Sequence, residues 1–386
     1  MLSMVCPSDR WSWVEIDQNA LRYNTKAFKS LLSRGVQMMC VVKADAYGHG
    51  AARCADIMAK AGADQFAVAT VQEGIELRRS GITKPILILN EPPCTSVSAL
   101  IAYDLMPSVY TCEFALALGE YAASQDKVAS YHLAVDTGMT RIGVKWDKVV
   151  EFCQTIDFHR GLNRAGMFTH FATADNPDDW DWKRQYKNFQ SAVSSLIEHQ
   201  IPTGIVHCDN TPGTMLHPEA HYNMCRVGVG LYGMHPAKST EHVLDLKPVM
   251  SVKARVTRTD YPEVGEGVGY GLTYRVPKQN IQIATFPIGY ADGLSRSLSN
   301  KMDVLCCGRR YRQVGRICMD QAMFAVDVNT NRSYMPSGPV SYGDVVVVIG
   351  SDGDQKITAE EMAELRGTIN YEVTCNFGQR LEKIYI

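Results

Sequence analysis

The sequence has no apolar stretch long enough to cross a membrane and no dense cluster of basic residues. Of its 386 residues, 39 are Lys or Arg and 41 are Asp or Glu, so the formal net charge is −2. A membrane span needs roughly 20 consecutive apolar residues, and nucleic-acid binding favours a concentrated basic surface. The N-terminus also lacks the pattern of a secretory signal. We therefore expect a chain that binds neither membrane nor nucleic acid.

The cysteines lack the spacing of metal-binding or redox motifs. Of the 12 cysteines, only Cys306 and Cys307 are adjacent, and no CxxC occurs, which excludes a zinc ribbon and a thioredoxin-like motif. His217 and His221 are four residues apart, but Pro218 disfavours a helix interior and the HExxH order is absent. We therefore predict no metal, and cysteines placed singly within apolar runs indicate a reducing, cytoplasmic location.

Short apolar runs alternate with amphipathic helical patterns through the first two-thirds of the chain. Continuous apolar runs are typical of buried parallel strands, and the segments between them repeat apolar residues at intervals of three and four. Eight such units predict a (β/α)8 barrel of about 250 residues, with a doubly wound sheet as the less favoured alternative. The predicted strands are residues 36–43, 65–70, 85–89, 105–110, 131–136, 164–169, 204–208 and 226–232.

The pattern changes to alternating strands beyond about residue 248. These segments, punctuated by glycines, predict a mostly antiparallel β domain, with strands at residues 249–258, 281–287, 303–306, 312–328 and 344–349. The predicted fold class is therefore α/β, a (β/α)8 TIM-type barrel followed by a mostly antiparallel β domain. We place the barrel at residues 12–245 and the β domain at 246–386, with residues 1–17, which contain the alternating WSWVEID, as a candidate addition to it.

The predicted barrel combines an amine with loops suited to phosphate. Lys43 ends the first strand, on the side of the barrel where reactive groups lie, and partial burial makes an amine a usable nucleophile. Asn210-Thr211 follow strand 7, and strand 8 contains Gly228-Val229-Gly230. Their backbone N–H groups and hydroxyl can bind oxyanions, and the loops after strands 7 and 8 are where this architecture commonly binds phosphate. This combination fits pyridoxal 5′-phosphate (PLP) held as a Schiff base, or a sugar-phosphate aldolase. A lysine that only extends from a strand end to solvent is the plainer alternative.

A series of longer motifs decides between these alternatives. In chain order they are VVKADAYGHG (41–50), VDTGMTRIGV (135–144), MFTHFATAD (167–175), NMCRVGVGLYG (223–233), GVGYGLTY (267–274), IGYADG (288–293), GRICMDQ (315–321) and INYEV (369–373). Together they resemble the alanine racemases, which are fold-type III PLP enzymes, over nearly the whole chain. The resemblance implies an amino-acid racemase acting on alanine. A serine/alanine or broader racemase, a fold-type III decarboxylase and a non-enzymatic PLP carrier are the alternatives.

The resemblance implies a site with two bases. Lys43 matches the lysine that holds PLP and serves the D-face of the substrate, and Tyr270 matches the tyrosine that serves the L-face. Racemisation removes a proton from one face of a planar carbanion and returns one to the other face, so two opposed acid/base groups are needed. In the family this tyrosine comes from the other subunit. The expectation is therefore a homodimer with shared active sites.

Further matches assign the cofactor and substrate contacts. His170 resembles the histidine packed against the cofactor ring, and Arg226 the arginine that faces the pyridine nitrogen; with the tyrosine they form one hydrogen-bonded chain in the family. Arg141 and the backbone N–H of Met319 match the groups that meet the substrate carboxylate, and the same motif places Cys318 beside the site. The positions that match phosphate contacts are Tyr47, Asn210, Thr211, Gly228, Val229 and Tyr371.

One position departs from the family pattern. Many alanine racemases have a carbamylated lysine two residues before the aspartate of VDTGM, where it orients the arginine that binds the substrate carboxylate. Here that position is Ala134, so Arg141 loses its anionic neighbour. We hypothesise that a bound anion, water or another side chain replaces it, and that the smaller residue leaves room for serine beside alanine.

Overall fold

The computed structural model describes residues 10–176, 180–328, 340–378 and 380–386. These residues form two compact units. The described residues of Asn19–Lys247 form one unit, and those of Met1–Gln18 and Pro248–Ile386 form the other. The chain begins in the second of these with strand β1 (Ser12–Ile16). Within the described ranges, no helix combines the length and the apolar character that a membrane crossing requires.

The first unit is a nearly closed barrel of eight parallel strands, as predicted. The hydrogen-bonded order is β10-β2-β3-β4-β5-β6-β8-β9, with the short β7 paired to β6 outside this order. Neighbours pair in parallel register, for example Met39 with Gln65 and Phe66 with Ile86. The strands are β2 (Gln37–Val41), β3 (Gln65–Val68), β4 (Ile86–Ile88), β5 (Met106–Val109), β6 (Ala129–Asp136), β7 (Val144–Lys145), β8 (Leu162–Phe168), β9 (Ile205–His207) and β10 (Met224–Val227).

Amphipathic helices precede and connect the barrel strands. Each buries its apolar face against the strands, as α2 does with Ile57 and Met58. Thr70, Thr111 and Asn210 cap α3, α5 and α8 with side-chain oxygens that accept backbone N–H groups. The helices are α1 (Gln18–Leu31), α2 (Ala51–Ala61), α3 (Val71–Arg79), α4 (Val97–Ala102), α5 (Cys112–Ser124), α6 (Val149–Ile156), α7 (Trp180–Glu198) and α8 (Thr211–Leu216).

The second unit is built on a mostly antiparallel sheet. The order is β12-β15-β18-β17-β16-β19-β11-β1-β21, with β20 paired to β19. β1 pairs antiparallel with β11 and parallel with β21. The elements are β11 (Met250–Arg255), β12 (Arg258–Asp260), β15 (Ile281–Phe286), β16 (Asp303–Cys306), β17 (Arg309–Val314), β18 (Ala322–Asp327), β19 (Val345–Asp352), β20 (Gln355–Ile357), β21 (Glu382–Tyr385), the separate hairpin β13 (Gly267–Val268) and β14 (Tyr274–Arg275), and helices α9 (Ala359–Arg366) and α10 (Asn370–Asn376).

Three details of the predicted elements are wrong. The strand predicted at residues 312–328 is two strands, β17 and β18, because Gly315 has a φ of 72° that leaves the extended conformation. The last barrel strand ends at Val227 and continues as a 3-10 turn, Val229–Tyr232. Lys43 does not end the first strand but follows it, since β2 stops at Val41. Helices α9 and α10 were not predicted at all.

Candidate active site

Lys43 begins a left-handed turn just beyond the carboxyl end of β2. Ala44–Tyr47 all have φ between 52° and 55°, a conformation that costs an L-residue roughly 1–2 kcal/mol. The Ala46 N–H donates to Val42 O at 2.9 Å, and the Gly50 N–H donates to Asp45 O at 2.8 Å. Strain of this kind persists where the surrounding structure holds it, and it is concentrated at functional sites.

A single carboxylate holds the start of this turn. Glu73 Oε1 accepts the Ala44 N–H at 2.7 Å, while its Oε2 accepts the N–H groups of Ala69 and Thr70 at 2.8 and 3.0 Å. The Thr70 hydroxyl accepts the Glu73 N–H in return, which completes a capping box at α3. Glu73 is not among the residues predicted from the sequence. The T-x-x-E spacing signals the capping box, but not the bond to Ala44.

His170 brings the predicted groups of the barrel together. Its Nδ1 lies 3.3 Å from Nη2 of Arg226 in β10, and its Nε2 lies 3.5 Å from the side-chain nitrogen of Asn210. Burial lowers the pKa of His170 well below its usual value, and the positive charges of Arg226, Arg141 and Lys43 lower it further. Arg226 therefore contacts an imidazole that is neutral at physiological pH.

Two histidines that were not predicted lie on the other side of Arg226. Arg226 Nη1 donates to Nδ1 of His207 at 2.9 Å, and Nε2 of His207 lies 2.8 Å from Nδ1 of His132. A guanidinium only donates, so Nδ1 of His207 accepts and its Nε2–H donates to His132. Burial and the positive charge of Arg226 lower the pKa of His132 to about 3, so this histidine is neutral. The available signal was a histidine in each of two buried strands, which is uncommon for a polar side chain.

Arg226 is fixed by carbonyls as well. Its Nη2 donates to Thr169 O at 2.7 Å and to Cys208 O at 2.9 Å. Burial lowers the pKa of Arg226 to about 10, which leaves the guanidinium charged at neutral pH. The side chain is 3% exposed. These bonds hold the guanidinium in one orientation inside the barrel.

The barrel residues predicted to contact phosphate lie around Gly228. The Gly228 N–H donates to Thr211 Oγ1 at 2.9 Å. A Cβ at Gly228 would lie 2.6 Å from the Tyr47 hydroxyl, so only glycine fits beside that oxygen. Val229 follows and opens the 3-10 turn. Asn210 is used differently, because its Oδ1 caps α8 by accepting the Gly213 N–H at 3.1 Å. Two hydroxyls and a glycine backbone therefore form a compact place for an oxyanion.

Asp136 organises the loop that carries Arg141. Its Oδ1 accepts the N–H groups of Gly138 and Thr140, both at 3.0 Å, and its Oδ2 accepts the Lys145 ammonium at 2.5 Å. Burial alone would raise the pKa of Asp136, but these hydrogen bonds lower it below the usual value.

Arg141 itself is exposed, and no hydrogen bond or ion pair joins it to another described residue. Ala134 is buried in β6. Which group takes the place of the family's carbamylated lysine beside Arg141 stays a prediction.

Substitution of Asp136 by asparagine should destabilise the protein at neutral pH. Because the folded-state pKa of Asp136 is lowered, its stabilisation is present above the unfolded-state pKa and lost as pH falls through the folded-state value. We expect Asp136→Asn to reduce the free energy of unfolding at pH 7 by about 1–3 kcal/mol. The substitution should also make the free energy of unfolding depend less on pH in the acid range. Urea unfolding between pH 3 and 7 measures both, with the exposed Asp147→Asn as control. An unchanged acid dependence in Asp136→Asn would contradict this account.

The remaining predicted residues belong to the second unit. Tyr270 is 71% exposed and stands between Gly269 and Gly271, whose φ values of 70° and 72° turn the chain sharply. Met319 is 52% exposed, and its carbonyl accepts the Ala291 N–H at 3.0 Å. Cys318 and Tyr270 both line an open cleft of this unit. Tyr371 lies in α10.

Comparison with known proteins shows the family to which the chain belongs. Residues 16–236 match the family model of the alanine racemase N-terminal domain, and residues 249–385 match that of the C-terminal domain. The chain belongs to the alanine racemase family. It is 41% identical to an alanine racemase of Synechocystis over 379 residues, covering 97% of this chain and 99% of the relative.

Solved structures extend the likeness to the whole fold. The alanine racemase from E. faecalis matches with a TM-score of 0.91 and 35% identity, covering 99% of this chain and 100% of that one. A structure from Bacillus anthracis with bound L-Ala-P matches with a TM-score of 0.91 and 33% identity, covering 99% and 96%. The chain is therefore an amino-acid racemase. Because the chain matches both alanine racemase domains, the two alternatives of a fold-type III decarboxylase and a non-enzymatic PLP carrier are disfavoured.

Proposed function

We propose that this racemase interconverts L-alanine and D-alanine with PLP bound in the barrel, by a mechanism that uses two bases. The observation that carries the proposal is the contact of Arg226 with the neutral His170, together with Lys43 just beyond β2 and the oxyanion-binding groups around Gly228 in the same barrel. An amine, a guanidinium and a phosphate cradle are the groups that a PLP enzyme of this chemistry needs.

The barrel residues fit the cofactor. The Tyr47 and Thr211 hydroxyls with the backbone of Gly228 and Val229 would hold the phosphate. When bound, PLP supplies an aldehyde that reacts with amines and a conjugated ring that delocalises the charge left by α-proton removal. Lys43 Nζ would hold the cofactor covalently. The strained turn and Glu73 fix the backbone from which this amine projects.

Arg226 and His170 set the electronic character of the site. A guanidinium donates and never accepts, so it favours an unprotonated ring nitrogen opposite it. Three donated bonds, to His207, Thr169 and Cys208, keep Arg226 in place and prevent it from turning away. By keeping that nitrogen unprotonated, Arg226 would limit transamination and other side reactions.

Two groups move the α-proton. Lys43 Nζ takes or returns it on the D-face, and the Tyr270 hydroxyl does so on the L-face. We propose a homodimer in which Tyr270 and the Met319 N–H of the partner subunit complete each barrel site. The high exposure of Tyr270 and Met319 within their own unit supports this assignment. Arg141 would bind the substrate carboxylate.

The substrate range and the cellular setting belong to the same proposal. The small Ala134 leaves room near the carboxylate site, which makes serine the best second substrate. All eleven cysteines in the described part of the chain are free thiols, in keeping with a reducing cytoplasm. D-alanine made there would supply cell-wall synthesis.

The proposal is tested by measuring racemisation over a panel of amino acids. We expect purified, PLP-loaded protein to abolish the optical activity of L- and D-alanine fastest, and of serine more slowly, as followed by circular dichroism. Lysine, ornithine and diaminopimelate are the control substrates, and they should release no carbon dioxide. Protein that carries PLP but racemises neither alanine nor serine would contradict the proposed function.

A further inference from the structure

The only adjacent cysteines of the sequence lie in a hairpin turn of the second unit. Cys306 ends β16 and pairs with Arg309 of β17, so Cys307 and Gly308 form a two-residue turn. Their φ values of 52° and 73° are those of a type I′ turn, in which the backbone favours Asn, Asp or Gly at the first position. Turn geometry therefore gives no reason for a cysteine at residue 307.

A carboxylate from a distant part of the chain reaches the same turn. Cys306 pairs with Val346 of β19, and Asp344 stands two residues before Val346. The antiparallel register therefore brings Asp344 beside the turn. The two cysteine Sγ atoms are 3.8 Å apart, and Cys307 Sγ lies 3.5 Å from Asp344 Oδ2.

These distances match those between ligands of a tetrahedral metal ion. Two thiolates bound to zinc at about 2.3 Å lie about 3.8 Å apart at the tetrahedral angle, and a thiolate and a carboxylate oxygen lie about 3.6 Å apart. These two separations match a bound ion, and all three ligand atoms lie within 4.8 Å of one another. An ion at this turn could be reached from solvent, since Cys307 is exposed and Asp344 is half-buried. No heavy atom stands within 4 Å of a Cβ built on Gly308.

We propose that Cys306, Cys307 and Asp344 bind a thiophilic divalent cation, zinc in the first instance, with the fourth position open to water. Two thiolates and one carboxylate supply a donor set typical of zinc. On binding, both thiol protons pass to the buffer and the sulfur lone pairs form the metal bonds. The ion would join the β16–β17 turn to the beginning of β19. None of these residues belongs to the proposed racemase machinery.

A second cluster of the described residues also brings three ligand types together, namely Asp209, His221 and Cys225. It is a weaker candidate. All three side chains are buried, and burial raises the pKa of Asp209 and Cys225 above their usual values, which the positive guanidinium of nearby Arg226 only partly offsets. A divalent ion would have to enter a dry interior beside that guanidinium. At the turn only Cys306 is buried, whereas Cys307 is exposed and Asp344 is half-buried, and Cys225→Ala distinguishes the two sites.

The test is a metal titration of tag-free PLP-loaded protein kept reduced by a non-thiol reductant, without amino acids. We expect one cobalt(II) per chain, with thiolate-to-cobalt charge-transfer bands and visible bands of tetrahedral intensity that zinc displaces. Cys307→Ser, which changes an exposed side chain, should lower zinc affinity by more than about tenfold. Asp344→Asn should lower it less. The matched control is Cys375→Ser, another exposed cysteine of this unit, which should bind as the unsubstituted protein does.

Thermal unfolding provides a second readout. Zinc should raise the melting temperature of the unsubstituted protein but not of Cys307→Ser, and racemase activity without metal should be equal in both. The proposal fails if the unsubstituted protein binds no stoichiometric metal, or if Cys307→Ser binds as tightly as Cys375→Ser. It also fails if Cys225→Ala, rather than Cys307→Ser, abolishes binding. None of these outcomes bears on the racemase proposal.

Discussion

Substitution of Lys43 by alanine is expected to abolish racemisation in both directions. A positioned acid/base group contributes about 10²–10⁴-fold to a rate, and Lys43 is proposed to hold the cofactor as well. We therefore expect a loss of at least about 10³-fold in kcat for both L- and D-alanine. The neighbouring His170, neutral because of burial and three nearby cations, cannot take over a covalent role that needs an amine.

Two measurements separate this role from a structural one. Borohydride should fix cofactor to the unsubstituted chain but not to Lys43→Ala, as read by intact mass. Added methylamine should restore part of the D-alanine reaction, since a free amine can replace the missing one. Lys60→Ala, at a lysine on the outer surface of α2, is the control and should behave as the unsubstituted protein. Covalent cofactor retention in Lys43→Ala would refute the assignment.

The barrel could be predicted because its signals are local. Helical periodicity between the apolar runs predicted amphipathic helices there, and α2 and α5 both lie between predicted strands. The alternating WSWVEID predicted a strand at β1, and the structure adds its pairing with β11. In contrast, β17 and β18 merged in the prediction, because residues 315–321 between them, which begin with Gly315, continue the apolar and polar pattern without a clear break.

The parts of the site that were missed depend on contacts between distant residues. Glu73 accepts the Ala44 N–H across 29 positions, and His132 meets His207 across 75. No periodicity records such pairs. The left-handed turn after Lys43 was missed for a different reason, because its residues, alanines among them, have no intrinsic preference for positive φ. Tertiary contacts impose that conformation.

Substitution of Tyr270 by phenylalanine should impair one face of the reaction and spare the other. The change removes only a hydroxyl from a side chain that is 71% exposed, so the melting temperature should not move. In D₂O, L-alanine should lose its α-proton about 10²–10⁴-fold more slowly. D-alanine should still exchange its α-proton for deuterium through Lys43, but without inversion. Tyr342→Phe, at a tyrosine 68% exposed on the same unit, is the control. Equal slowing of exchange from both enantiomers would exclude the assignment of Tyr270 to the L-face.

Complementation then tests whether the two bases come from different subunits. Lys43→Ala and Tyr270→Phe chains, each inactive, are coexpressed with different tags so that mixed dimers form. If Tyr270 of the partner subunit serves each barrel, a mixed dimer contains one site with both Lys43 and Tyr270 intact. Random pairing makes half of the dimers mixed, and half of their sites are intact, so about a quarter of the full activity should return. If both bases came from one chain, the mixed dimer would contain no intact site and purified mixed dimers would remain inactive.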